Sequence, residues 1–125
     1  MEKAILITVD LKSERGWAAE DRAAELRDLA WSSGVLAEDE VLCTRGRPTS
    51  DLFIGKGKFD ELVSLSKEKD ADVVIFNNDL TPTQLRNLEQ GLGNINVIDR
   101  TQLILDIFAQ HAQSMEGRSR WNSRS

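Results

Sequence analysis

The stretch DVVIFN, Asp72 to Asn77, sets four consecutive apolar residues between an aspartate and an asparagine. A half-buried strand would alternate polar with apolar, whereas so short an unbroken run needs cover on both of its faces. That is the pattern of a strand inside a parallel sheet, and the flanking sequence repeats the theme. Upstream, AILITV (Ala4 to Val9) is a β-branched run bounded by charge and reads as a first buried strand. EVLCTR (Glu40 to Arg45) reads as a second, with Phe53 and Ile54 as its continuation or a short partner. INVIDR (Ile95 to Arg100) reads as another, downstream.

Helical spacing fills the intervals. Ala19, Ala23, Leu26 and Ala30 recur on one face, Leu29 and Trp31 widen the stripe, and Gly34 follows as a C-terminal cap. Phe59, Leu62, Val63 and Ser66 mark a face of a second helix. In the third, Thr81 can cap, Pro82 suits the first helical position, Gln84 can return the capping bond, and Leu80 can staple against Leu85. Gly91 or Gly93 would stop it. Thr101 opens a fourth, with Leu103, Ile104, Ile107, Phe108 and His111 on one side. Strands alternating with helices predict an α/β domain: a mainly parallel sheet of four or five strands, joined by right-handed crossovers, with about four helices on its faces.

The bulk composition fits one domain of 125 residues, 40% hydrophobic and 30% charged. No apolar run is long enough to cross a bilayer, and Asp10 interrupts the N-terminal hydrophobic stretch before a signal-peptide cleavage region could form, so a cytoplasmic protein is expected. One cysteine, Cys43, cannot form an internal disulfide, and one histidine gives no zinc-site spacing. Cys43 reads as core filling, and His111, near the apolar stripe of its helix and without a nucleophile motif, reads as a structural histidine. No catalytic or metal-binding residue is assigned. The net charge of −5 argues against a general nucleic-acid binder, yet Arg45, Arg47, Lys56 and Lys58 against Asp51 form one local basic island.

Within that island FIGKGKFDEL, Phe53 to Leu62, holds the ingredients of a phosphate cradle: glycines, lysines and a following helix. The nucleotide-binding pattern requires four residues between its glycines and a Ser or Thr after the lysine. Gly55 and Gly57 are separated by one residue, and Phe59 follows Lys58, so Walker A is absent. A strand-to-helix turn with solvated lysines is the expectation from the residues alone. Asp72, Asn77, Asn78 and Asp79 surround the ends of the third strand, where ligands gather in open α/β sheets, but capping and turn-making are the preferred reading, because Asn77 to Asp79 run directly ahead of a helix that needs N-terminal acceptors.

Three segments, FIGKGKFDEL, ADVVIFNNDLTPTQLRNLEQGLG and VIDRTQLILDIFAQHAQSMEG, closely resemble in order and spacing the N-terminal domain of the HflX family of ribosome-associated GTPases. The resemblance runs from about Lys3 to Gly117. It implies that the turn at Gly55, Gly57 and Lys58 belongs to an α/β domain distinct from the GTP-binding domain. It also implies a translational GTPase that binds the large ribosomal subunit, contacts ribosomal RNA through its N-terminal domains and helps split stalled ribosomes. GTP and magnesium would be held by a domain that this sequence does not contain, so no GTP hydrolysis and no cofactor of its own are expected here.

Arg118 to Ser125, RSRWNSRS, departs from the family, which usually continues close to Gln-Val-Glu-Leu-Ala-Gln. Permitted codons for these eight residues, read in another frame, give Val-Gln-Val-Glu-Leu-Ala-Gln, which suggests a frameshift near Gly117; a vector-derived or unrelated tail is the alternative. Either way it is expected to be frayed.

The leading expectation is therefore a binding module for large-subunit ribosomal RNA, with Arg45, Arg47, Lys56 and Lys58 as candidate contacts and Arg86 and Arg100 as weaker ones. The alternative is an adenine-nucleotide site formed by Gly55, Gly57, Lys58, Asn77, Asn78 and Asp79, since some family members' N-terminal regions are associated with adenine nucleotides. A truncated relic without independent function is a third. Surplus apolar positions on the fourth helix, Leu103, Ile104, Ile107 and Phe108, point to a tendency to form a homodimer, with Trp121 as a crossing anchor; a monomer in which they pack on the domain's own sheet is the alternative.

Overall fold

The computed structural model describes residues 2–11, 19–45, 53–93 and 95–119. Among these residues four strands and four helices alternate: β1 (Lys3–Leu11), α1 (Ala19–Ser33), β2 (Leu36–Arg45), α2 (Lys56–Glu68), β3 (Val73–Phe76), α3 (Pro82–Gly91), β4 (Asn96–Asp99) and α4 (Arg100–Ser119). The strands form one all-parallel sheet in the order β2-β1-β3-β4. The fold is thus α/β as the alternation predicts, with four strands.

Strand β3 lies between β1 and β4, and all four of its residues, Val73 to Phe76, are buried. Period-two alternation assigns them to two cores. Val74 and Phe76 join Ile5, Ile7, Val9 and Val97 under Leu62 of α2 and Leu88 of α3. Val73 and Ile75 join Ala4 and Leu6 under Leu26 and Ala30 of α1 and Leu103 of α4. At roughly 1.5–3 kcal/mol per fully buried large apolar side chain, this two-sided burial dominates the fold's stability.

Several local readings change. Phe53 and Ile54 are a bend, not a strand: Phe53 has φ 72°, a left-handed conformation that costs a non-glycine residue about 1–2 kcal/mol. The turn drops its ring edge-to-face onto Phe76, centroids 6.3 Å apart, which offsets the strain. Helix α4 is capped by Asp99, whose Oδ1 accepts from the Gln102 N–H at 2.9 Å, and not by Thr101, whose hydroxyl donates to Asp79. Trp31 does not widen the α1 stripe; it is 74% exposed. His111 is exposed, not a core histidine, and Phe108 lies at 64% exposure beside Leu105 at 54%. Gly34 and Gly93 carry the positive φ expected just beyond α1 and α3. The α3 capping box is complete, and Leu80 and Leu85 share the core beneath it. Arg118 and Ser119 continue α4, while residues 120–125, Trp121 included, lie outside the described residues.

Candidate functional site

Helix α2 opens on a glycine. Gly55 is its N-cap, with extended backbone and no side-chain cap, so the first amides of α2 have no oxygen supplied by the preceding residue, unlike those of α3. Lys56 is exposed in this first turn. Lys58 donates to Glu61 at 3.0 Å, and this hydrogen bond raises the lysine's pKa above its ordinary value. Its charge persists through the neutral range, but a carboxylate already faces it. A Cβ placed on Gly57 would meet no atom within 4 Å, so neither packing nor an unusual backbone angle demands glycine there.

A cleft of about 460 Å³ runs from Gly57 and Lys58 along α2 to Glu68, floored by Ile7, Val41, Ile54 and Leu65. It does not reach Asn77, Asn78 or Asp79.

Those three residues finish β3 where the chain's crossovers diverge, from β1 to one edge of the sheet and from β3 to the other. Asn78 is buried, and its side chain acts as an extra peptide unit: Oδ1 accepts from the Val9 N–H and Nδ2 donates to the Val9 carbonyl, both at 3.1 Å. Asn77 Nδ2 donates to the Arg22 carbonyl at 2.7 Å and to Thr8 Oγ1 at 3.3 Å, while its Oδ1 accepts from Arg100. Arg22 reaches the Asn77 carbonyl at 3.1 Å, and Arg100 is also paired with Glu25 at 2.5 Å. Asp79 is exposed and accepts from Thr101 at 2.7 Å. Asp72 sits at the opposite end of β3, exchanging hydrogen bonds with Lys3.

The crevice that often takes a ligand in such folds is here knitted by the chain's own amides and guanidinium groups. Arg22 and Glu25 were not singled out from sequence. Their spacing of three places them on one side of α1, but only the fold brings that side to Asn77 and Arg100.

The basic candidates divide between layers. Lys56 and Lys58 belong to α2 and the exposed Arg86 to α3, on one face of the sheet; Arg100 belongs to α4 on the other. Arg45 ends β2, and Arg47, with Asp51, lies outside the described residues.

Residues 20–109 match the family described as GTP-binding GTPase N-terminal. The chain belongs to that family. Relatives named GTPase HflX include one from Alkalihalophilus pseudofirmus, 48% identical over 99 residues, covering 79% of this chain and 23% of the relative. Another, from Escherichia coli, is 40% identical over 117 residues, covering 94% and 26%. The chain therefore spans about a quarter of the length of these HflX relatives. Among solved structures, that of SsGBP in complex with GDP superposes with TM-score 0.70 at 21% identity over 94% of this chain and 32% of that one. The C-terminal catalytic domain of an IS607-like serine recombinase superposes with TM-score 0.54 at 17% identity, over 98% and 88%. At such identities only the fold is shared, and function has to be read from the HflX relationship and from the sites themselves. No helix among the described residues is long and apolar enough to cross a membrane.

Proposed function

We propose that this domain is a recognition module without catalysis of its own, and that in the cytoplasm it binds ribosomal RNA of the large ribosomal subunit. The observation that carries the reading is membership of the HflX N-terminal family over 90 contiguous residues, 20–109. The opening turn of α2 supports it: an exposed Lys56 stands beside amides that the N-cap, Gly55, has no side chain to cap, an arrangement that favours a phosphate oxygen. Lys58 contributes less, since Glu61 already neutralises it, and Arg100 less again, held by Asn77 and Glu25.

The test is co-sedimentation with purified large subunits across a salt series. Binding should weaken as salt rises, and Lys56→Ala should flatten the log-log slope by about one. Recovery no greater than that of an unrelated acidic domain would sink the reading.

An adenine-nucleotide site is the second reading, favoured by the reach of the 460 Å³ cleft to Gly57 and Lys58. Calorimetry with ATP and with GTP separates the two, since micromolar ATP binding would promote it.

A further inference from the structure

We propose that the cleft between α2 and the edge strand β2 is a docking groove for a basic amphipathic helix of a protein partner, a role separate from RNA recognition. β2 is an edge strand, and where β1 and β3 are buried, its Val41 is only half-buried beside α2. The resulting groove has an apolar floor, the half-buried Val41 and Leu65 over the buried Ile54, and follows α2 from its first turn to its last. At 1.5 Å per residue that is roughly 15 Å, room for about three turns of a partner helix laid alongside. A volume of 460 Å³ takes the apolar side chains of such a helix, presented at i, i+3 or i+4, and i+7, and leaves its backbone outside.

Charge selects the occupant. The rim carries three carboxylates, Asp60, Glu61 and Glu68, all exposed, against one ammonium, Lys58, which Glu61 already holds at 3.0 Å. Past the Gly57–Lys58 end, a polyphosphate or an RNA backbone laid along the groove would meet Asp60, Glu61 and Glu68. A second copy of the chain, itself at −5, would bring like charge to like. A helix with an apolar stripe flanked by lysine or arginine satisfies floor and rim together.

The experiment uses the full chain, isotope-labelled and observed by NMR. It is titrated with a synthetic helix of about fourteen residues, leucine at i, i+3, i+4 and i+7 with lysine elsewhere, and separately with the same helix carrying glutamate for lysine. The lysine helix should saturate, move the signals of Val41, Ser64 and Leu65, and bind at least about tenfold more tightly than the glutamate helix. Asp60→Lys combined with Glu68→Lys, both at exposed positions, should remove that preference while leaving the melting temperature unchanged. The proposal is overturned by equal binding of the two helices, by shifts centred on Leu105 and Phe108, or by indifference to the charge reversals. The same shifts on titration with single-stranded RNA alone, or on merely concentrating the chain, overturn it equally.

Discussion

Gly91 closes α3 against the ring of Phe59 on α2, where an added Cβ would lie 2.3 Å from the ring's outermost carbon. The ring is half-buried against the core, so its tip must shift against packed neighbours to admit a methyl group. Gly91→Ala should therefore lower stability by about 1–2 kcal/mol through overpacking, read as an earlier denaturant midpoint at unchanged slope. An unmoved or later midpoint would show that the ring yields freely. Gly57 is the opposite case, a glycine in the first turn of a helix, one residue past the N-cap's neighbour Lys56, with open space around its Cα. Alanine there should stabilise by up to about 0.5 kcal/mol through helix propensity, less than the interior value because the position lies in the first turn. If a phosphate approaches this backbone, the same substitution should weaken large-subunit binding, so the two measurements together separate a helical glycine from a recognition glycine. Asn78 is sterner. Its amide satisfies both backbone groups of Val9, and Asn78→Ala would orphan a buried donor and acceptor at a cost of about 1–3 kcal/mol. A loss below 0.5 kcal/mol, roughly the scale of a neutral surface change, would refute that account.

Helix ends show which elements declared themselves in the sequence. The start of α3 was legible because its capping box is local: Thr81, Pro82 and Gln84 lie within four residues, and the hydrogen bonds join the same residues that form the pattern. The start of α4 was not, because Asp99 does two tasks at once. It is the last residue of β4 and the cap of the next helix, and its other oxygen accepts from the Leu80 N–H at 3.2 Å, nineteen residues away in sequence. Only the parallel register, which aligns Asp99 with Phe76, explains that bond. Asp99→Ala should cost about 1–2 kcal/mol by releasing both amides, whereas Thr101→Ala, which loses one exposed bond to Asp79, should cost distinctly less. Equal losses in thermal unfolding would restore Thr101 to the capping role. The outward turn of Trp31 is by contrast local. It follows the fully buried Ala30 by one position, about 100° around the helix, so a stripe through Leu26 and Ala30 turns it outward. The candidate site was legible only in part. The glycines and lysines of α2 announced a turn, but the partners of Asn77, Arg22 and Arg100 among them, are set by strand order, and no local pattern carries strand order.

At the scale of the molecule, the sheet separates two helix layers with different exposed character. On the α2–α3 side the open groove is apolar within and acidic at its rim. On the α1–α4 side, Leu103 is buried on the sheet, Ile104 and Ile107 are half-buried, and Leu105 and Phe108 stand exposed three residues apart, a neighbouring pair on one helix surface. The surplus anticipated for this helix is therefore real but displaced: Leu103 belongs to the domain's own core, and Leu105 takes its place outside. Such a patch favours self-association, while a charge of −5 on every chain opposes it. The balance should depend on salt. In dilute buffer, light scattering should report a mass near one chain; at high ionic strength, where repulsion is screened over a few ångströms, the mean mass should climb with protein concentration. Phe108→Ser should suppress that climb without lowering the melting temperature, because its ring lies 64% exposed and little packing is lost with it. A constant single-chain mass at high salt, or a climb that Phe108→Ser leaves intact, would show that this face of α4 does not drive association.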